Sequence, residues 1–130
     1  MDQNALVNEL VKAGSRFLEE FGKNYPIAVA FWMKEKDERR WHLHIASEKV
    51  GDAGTRDAYG AVIRVAEQMR DISFDPFYVR LRTMDEKIVQ FALDFQRRHP
   101  GLAAVFDVPS YYGVEVEGMY LYPPLKVAAA

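Results

Sequence analysis

Two runs of alternating apolar residues flank an unbroken block of charge between residues 26 and 47, and few folds accept that pattern. Ile27, Val29, Phe31 and Met33 share one side of the first run. Trp41, Leu43 and Ile45 share one side of the second, because successive strand side chains point to opposite faces. Residues 34–40 between them are charged at every position, which suits a solvated hairpin loop. A one-residue slip would turn every side chain to the wrong face. Gathering the large apolar residues together therefore predicts Met33 opposite Trp41, Phe31 opposite Leu43 and Val29 opposite Ile45. The other face then carries Ala28, Ala30, Trp32, His42, His44 and Ala46.

Helical and strand periods alternate around this hairpin. Leu6, Val7, Leu10, Val11, Phe17, Leu18 and Phe21 form one stripe of a helix over about 4–22, stopped by Gly22 and Pro26. Gly51, Asp52 and Gly54 break the chain. Thr55 caps a second helix over about 55–71, whose inner stripe reads Tyr59, Val62, Ile63, Ala66 and Met69. A strand over about 77–82 follows, with Phe77, Val79 and Leu81 inward and Tyr78, Arg80 and Arg82 outward. Thr83, Met84, Asp85 and Glu86 match a capping box. It opens a helix to about Arg98 that buries Ile88, Val89, Ala92, Leu93 and Phe95. A short strand over 103–107 comes next. A second hairpin then pairs 114–117 with 119–122 across Glu117 and Gly118, and the tail 126–130 is expected to fray.

The order α-β-β-α-β-α-β-β(-β) predicts an α+β fold. Its sheet is mixed but mainly antiparallel, with helices packed mainly on one face. The 130 residues suit a single domain with one buried core. Cysteine is absent, which removes thiolate chemistry and fits a reducing compartment, so a cytoplasmic location is expected. The first residues lack the basic region of a signal peptide, and no apolar run reaches the roughly 20 residues needed to span a bilayer. A formal net charge of −2 gives no global attraction to nucleic acid or anionic membrane.

Several constellations bear on chemistry. His42 and His44 are two apart on a strand and share a face, as metal ligands often do. A third ligand is not fixed nearby, so no metal or other cofactor is expected. Trp32, His42, His44, Tyr78, Arg80 and Arg82 together make the candidate binding face. Such a surface fits self-association or a protein partner, or less well single-stranded nucleic acid; alternatively, C-terminal tyrosines simply cover it. Asp107, Tyr112 and Glu115 are candidate contributors from the C-terminal strands. Glu115 and Glu117 alternate as a carboxylate pair, which a polar strand face beside a turn also explains. Residues 50–55 join a strand to a helix, but they lack a Walker lysine and a full dinucleotide fingerprint. Gly14 and Ser15 lie within a helix, so they form no nucleophile elbow.

Ala30, Phe31 and Trp32, then Trp41, Leu43, Ile45, Ala46 and Ser47, then Gly54, Ala58 and Tyr59, resemble stretches of small uncharacterised bacterial proteins. The resemblance spans about residues 26–72 and implies no activity. The leading expectation is a non-enzymatic interaction module that forms a homo-oligomer or binds a protein partner through the aromatic and cationic sheet face. The main alternative is a small-ligand or metal-assisted enzyme using His42 and His44.

Overall fold

A computed structural model describes residues 8–51, 54–100, 104–111 and 114–124. The elements are α1 (Asn8–Phe21), β1 (Val29–Glu35), β2 (His42–Ala46), α2 (Thr55–Met69), β3 (Val79–Arg82), α3 (Lys87–Arg98), β4 (Ala104–Tyr111) and β5 (Val114–Leu121). A single 3-10 turn, Pro76–Tyr78, leads into β3. The fold is α+β, in the element order that the periodicity predicts. The strands lie in the order β3-β2-β1-β5-β4. Only β2 and β3 run parallel, as expected where a crossover helix joins them.

Helices cover both faces of this sheet. α1 and α2 share one face, where Phe17, Leu18, Phe21, Ala61 and Val62 pack with Ala30, Trp32, Leu43 and Ile45. α3 lies on the other, where Ile88, Val89 and Ala92 meet Val29, Phe31, Met33, Ala46, Met119 and Leu121. The hairpin register follows from this and differs from the expected one by one residue. Phe31 stands opposite His44, Trp32 opposite Leu43 and Met33 opposite His42. Both alternating sets of β1 are apolar and both find a helix. Burial alone therefore does not select between the two registers.

Three more expectations shift for identifiable reasons. The buried side of α2 is Ala58, Ala61, Val62 and Ala66, while Tyr59 and Ile63 are exposed. Small residues let the helix approach the sheet, while half-exposed Tyr59 reaches the β3 edge, its Oη accepting the Leu81 amide at 3.0 Å. The charged block is only partly a loop, since β1 extends through Glu35. Lys34 is buried, with Nζ 2.5 Å from Glu117 Oε2. Gly118 lies inside one continuous β5 rather than at a turn. A Cβ there would stand 2.7 Å from Trp41 Cη2, so the position keeps room for that ring. Gly118→Ala is expected to lose about 1–3 kcal/mol by overpacking, read as a lower urea midpoint at unchanged slope.

The start of α3 keeps half of the predicted capping box. Glu86 Oε2 accepts the Thr83 amide at 2.8 Å, but the Thr83 hydroxyl donates to Asp85 instead of capping the helix. Thr55 is the first residue of α2, and its hydroxyl donates to the Gly51 carbonyl at 2.5 Å. The expected fraying tail lies outside the described residues.

Candidate functional site

The candidate face divides between the two sides of the sheet. Trp32 is fully buried on the α1–α2 side. Its Nε1 donates to Tyr122 Oη at 2.9 Å, and Tyr122 donates in turn to the Val11 carbonyl at 2.6 Å. Burial pushes the Tyr122 hydroxyl well above its ordinary value. Trp32 also meets Phe74 and Tyr78 edge-on, with ring centroids 6.5 and 6.1 Å apart. Trp32 is therefore a core residue with half-buried Tyr78 packed against it, rather than part of an open stacking platform. The C-terminal strand does supply the tyrosine that covers Trp32.

His42, His44, Arg80 and Arg82 remain together on the α3 side, because both pairs alternate on neighbouring strands with His44 level with Arg80. Carboxylates that sequence reasoning passed over complete the group. Arg80 Nη1 reaches Glu35 Oε2 at 3.2 Å and Glu38 Oε1 at 3.0 Å, and its Nη2 reaches Glu38 Oε2 at 2.5 Å. Arg82 Nη1 donates to Glu86 Oε1 at 3.0 Å, and its Nε to His44 Nδ1 at 3.0 Å. His42 Nδ1 lies 3.7 Å from Glu38 Oε2. The signal for Glu35 and Glu38 was present as two carboxylates three residues apart, but a charged run reads as solvated surface.

Charge and burial fix the protonation states. The hydrogen bond with Glu38 raises the Glu35 carboxyl, with burial and the repulsion of Glu38 adding to it. Burial acts to raise Glu38, but hydrogen bonds with Glu35 and Arg80 and the nearby positive charges outweigh it and leave it lowered. Glu35 is thus the more readily protonated of the two carboxyls. Burial lowers His42, and Arg80 lowers it further. His44 is fully buried, and burial first, then Arg82, Arg80 and His42, hold it well below the ordinary imidazole value. Because His44 Nδ1 accepts from Arg82, the proton of the neutral ring sits on Nε2. That Nε2 is buried with no hydrogen-bond partner among the described residues. The ring itself stacks on Phe31, with centroids 5.1 Å apart and planes 4° from parallel.

No cluster of three or more His, Cys, Asp or Glu side chains placed to hold a metal occurs among the described residues. Nor is this group a free anion site, since carboxylates occupy both guanidinium groups. Asp107 and Glu115 belong to β4 and β5. β4 lies three strand spacings from β2, or about 14 Å, so Asp107 does not share a site with the histidines. Tyr112 lies outside the described residues. No helix among the described residues is long and apolar enough to cross a membrane.

The connection from α2 to β3 holds what the sequence reading missed. Ile72 is 103% exposed and Phe77 84% exposed. Neither sits on a slack loop. Asp71 ties to Arg16 of α1 and accepts the Ser73 amide at 2.9 Å. The Phe74 amide closes a turn on the Asp71 carbonyl at 3.0 Å. Asp75 accepts the Phe77 amide at 2.9 Å. Phe74 itself stacks on Phe17, with centroids 4.8 Å apart. Beside Ile72 runs a groove of about 750 Å³ between α1 and α2, with Val65 and Met69 among its lining. No family model, curated protein or solved structure matches the chain.

Proposed function

We propose that the chain is a non-enzymatic interaction module that presents its α1–α2 side and the connection before β3 to a protein partner. The observation that carries this reading is Ile72, a large apolar side chain fully in solvent at the tip of a turn pinned on both sides. A single exposed apolar side chain is ordinary; what supports a contact here is that Ile72 is held by a pinned turn beside a groove with Val65 and Met69 in its lining. Phe77, Ile63 and Tyr59 are further exposed apolar residues of α2 and of the same connection. Strand addition at the β3 edge is disfavoured. The Val79 amide already donates to the Pro76 carbonyl, and the Leu81 amide to Tyr59 Oη at 3.0 Å.

A photo-crosslinking side chain at position 72, expressed in the source cells, is expected to give a discrete protein adduct. The same group at exposed Arg97 on α3 should give none. Absence of any protein adduct at 72 would remove the reading.

A second reading rests on Glu35 and Glu38, whose carboxyls are shifted in opposite directions beside His42 and Arg80. Pairs separated in this way can divide acid and base roles. A small ligand taken there should move the amide resonances of Glu35, Glu38 and His42 together during titration. Glu38→Gln should abolish that movement, and shifts that persist in Glu38→Gln would count against the site.

A further inference from the structure

Resting on the interaction reading, the occupant of this surface can be narrowed. The knob, Ile72, and the hole, the α1–α2 groove, adjoin each other on one chain. A surface that carries both halves of a contact side by side is self-complementary about a two-fold axis. The rim is mixed in sign: Arg16 and Asp71 neutralise each other, which leaves Glu19 and Glu20, the latter also bonded to Lys23, on the α1 wall and Arg70 at the end of α2. A uniformly acidic or basic partner would be repelled by one wall, whereas a second copy offers each wall its opposite. Arg70 adds a backbone argument. It is the one non-glycine residue with positive φ among those described, at 53°, a helix-end conformation that usually selects glycine. A charged side chain is thus held where glycine would be easier, directly on the rim.

We propose that this face pairs two copies of the chain about a two-fold axis, with Ile72 of each copy seated in the groove of the other and Arg70 of each set against Glu19 and Glu20 of the other. Ile72 of one copy then meets Val65, Met69 and Ile72 of the other, the apolar part of a groove whose remaining lining is polar and charged. The Arg16 bond to Asp71 holds the turn to α1, so little order has to be gained on association.

Sedimentation of the full chain over about 5–200 µM tests this, a range that brackets micromolar association. The parent, at 14.9 kDa per chain, is expected to move towards twice that mass as concentration rises. Ile72→Asp and Arg70→Glu should each weaken association at least about tenfold. Both sites are exposed, so their thermal midpoints should stay within a few degrees of the parent. The combined variant Arg70→Glu, Glu19→Arg, Glu20→Arg restores opposite charges across the axis and should recover association. A parent that stays monomeric, or association that survives Ile72→Asp, would overturn the proposal. So would a combined variant that remains as weak as Arg70→Glu. A monomeric parent together with a cross-link from position 72 to a different protein would overturn the second copy alone and leave the interaction reading standing.

Discussion

Replacing Trp32 with alanine is expected to remove about 3–5 kcal/mol of folding stability, the range for a large aromatic deleted from a packed core. The side chain is fully buried among α1, β2 and the connection before β3. It is also one link in a hydrogen-bonded chain through Tyr122 to α1. A domain of this size commonly has only about 5–15 kcal/mol in total, so the variant should be marginal. Tyr122→Phe is the milder companion, expected to lose about 1–3 kcal/mol because it strands the buried Trp32 N–H. Urea unfolding followed by circular dichroism reads both. Had Trp32 been an exposed contact residue, as the alternating pattern first suggests, Trp32→Ala would change association and leave stability within about 1 kcal/mol. That outcome would contradict the packing.

The elements were legible because their periods are clear, and their faces were less so. The Ile88, Val89 and Ala92 stripe of α3 appears as the spacing predicts. The register of the hairpin did not, because helices on both faces bury Trp32 as completely as Phe31. Alternation identifies an inner face only when the outer one meets water. In α2 the alanines carried the inner stripe, and a reading that weights large apolar residues turned the helix towards Tyr59 and Ile63. The same weighting missed the exposure of those two residues. Ile72 gave no periodic signal at all, since its exposure is set by the Arg16 bond to Asp71 and the turn that follows. Strand alternation joins His42 to His44 and Arg80 to Arg82, and the β2–β3 register, with His44 level with Arg80, puts all four on one face as expected. Their carboxylate partners depend on where β1 ends, and the charged block concealed it.

Acid is expected to destabilise the fold from about pH 6.5 downwards, with His44 as the main cause. In the folded chain His44 is neutral and its acidity constant is held well below the ordinary 6.5, by burial first and then by Arg82, Arg80 and His42. Once unfolded, it takes up a proton near 6.5. Below that pH the unfolded chain binds one more proton than the folded one, so stability falls as pH falls, by up to about 1.4 kcal/mol per pH unit for this one group. His42 is lowered too and adds in the same direction. Glu38, also lowered, adds its loss only in the carboxylate range, below about pH 4.3. Glu35 is raised and works oppositely: its contribution is present at low pH and is lost as pH rises through its folded value. A fall in stability just below 6.5 therefore carries the sign of the histidines, which Glu35 opposes. Protonation at Nδ1 would also set that N–H against the Arg82 Nε–H, and Arg82 leads through Glu86 to the start of α3. The α3 side of the sheet should consequently loosen first, seen as faster amide exchange at Val89 and Ala92 than at Phe17 and Leu18. His44→Gln keeps a carbonyl acceptor for Arg82 and does not titrate. Its stability should be nearly flat between pH 6.5 and 5.5 apart from the smaller slope left by His42, and a slope equal to that of the parent would show that His44 is not the titrating group.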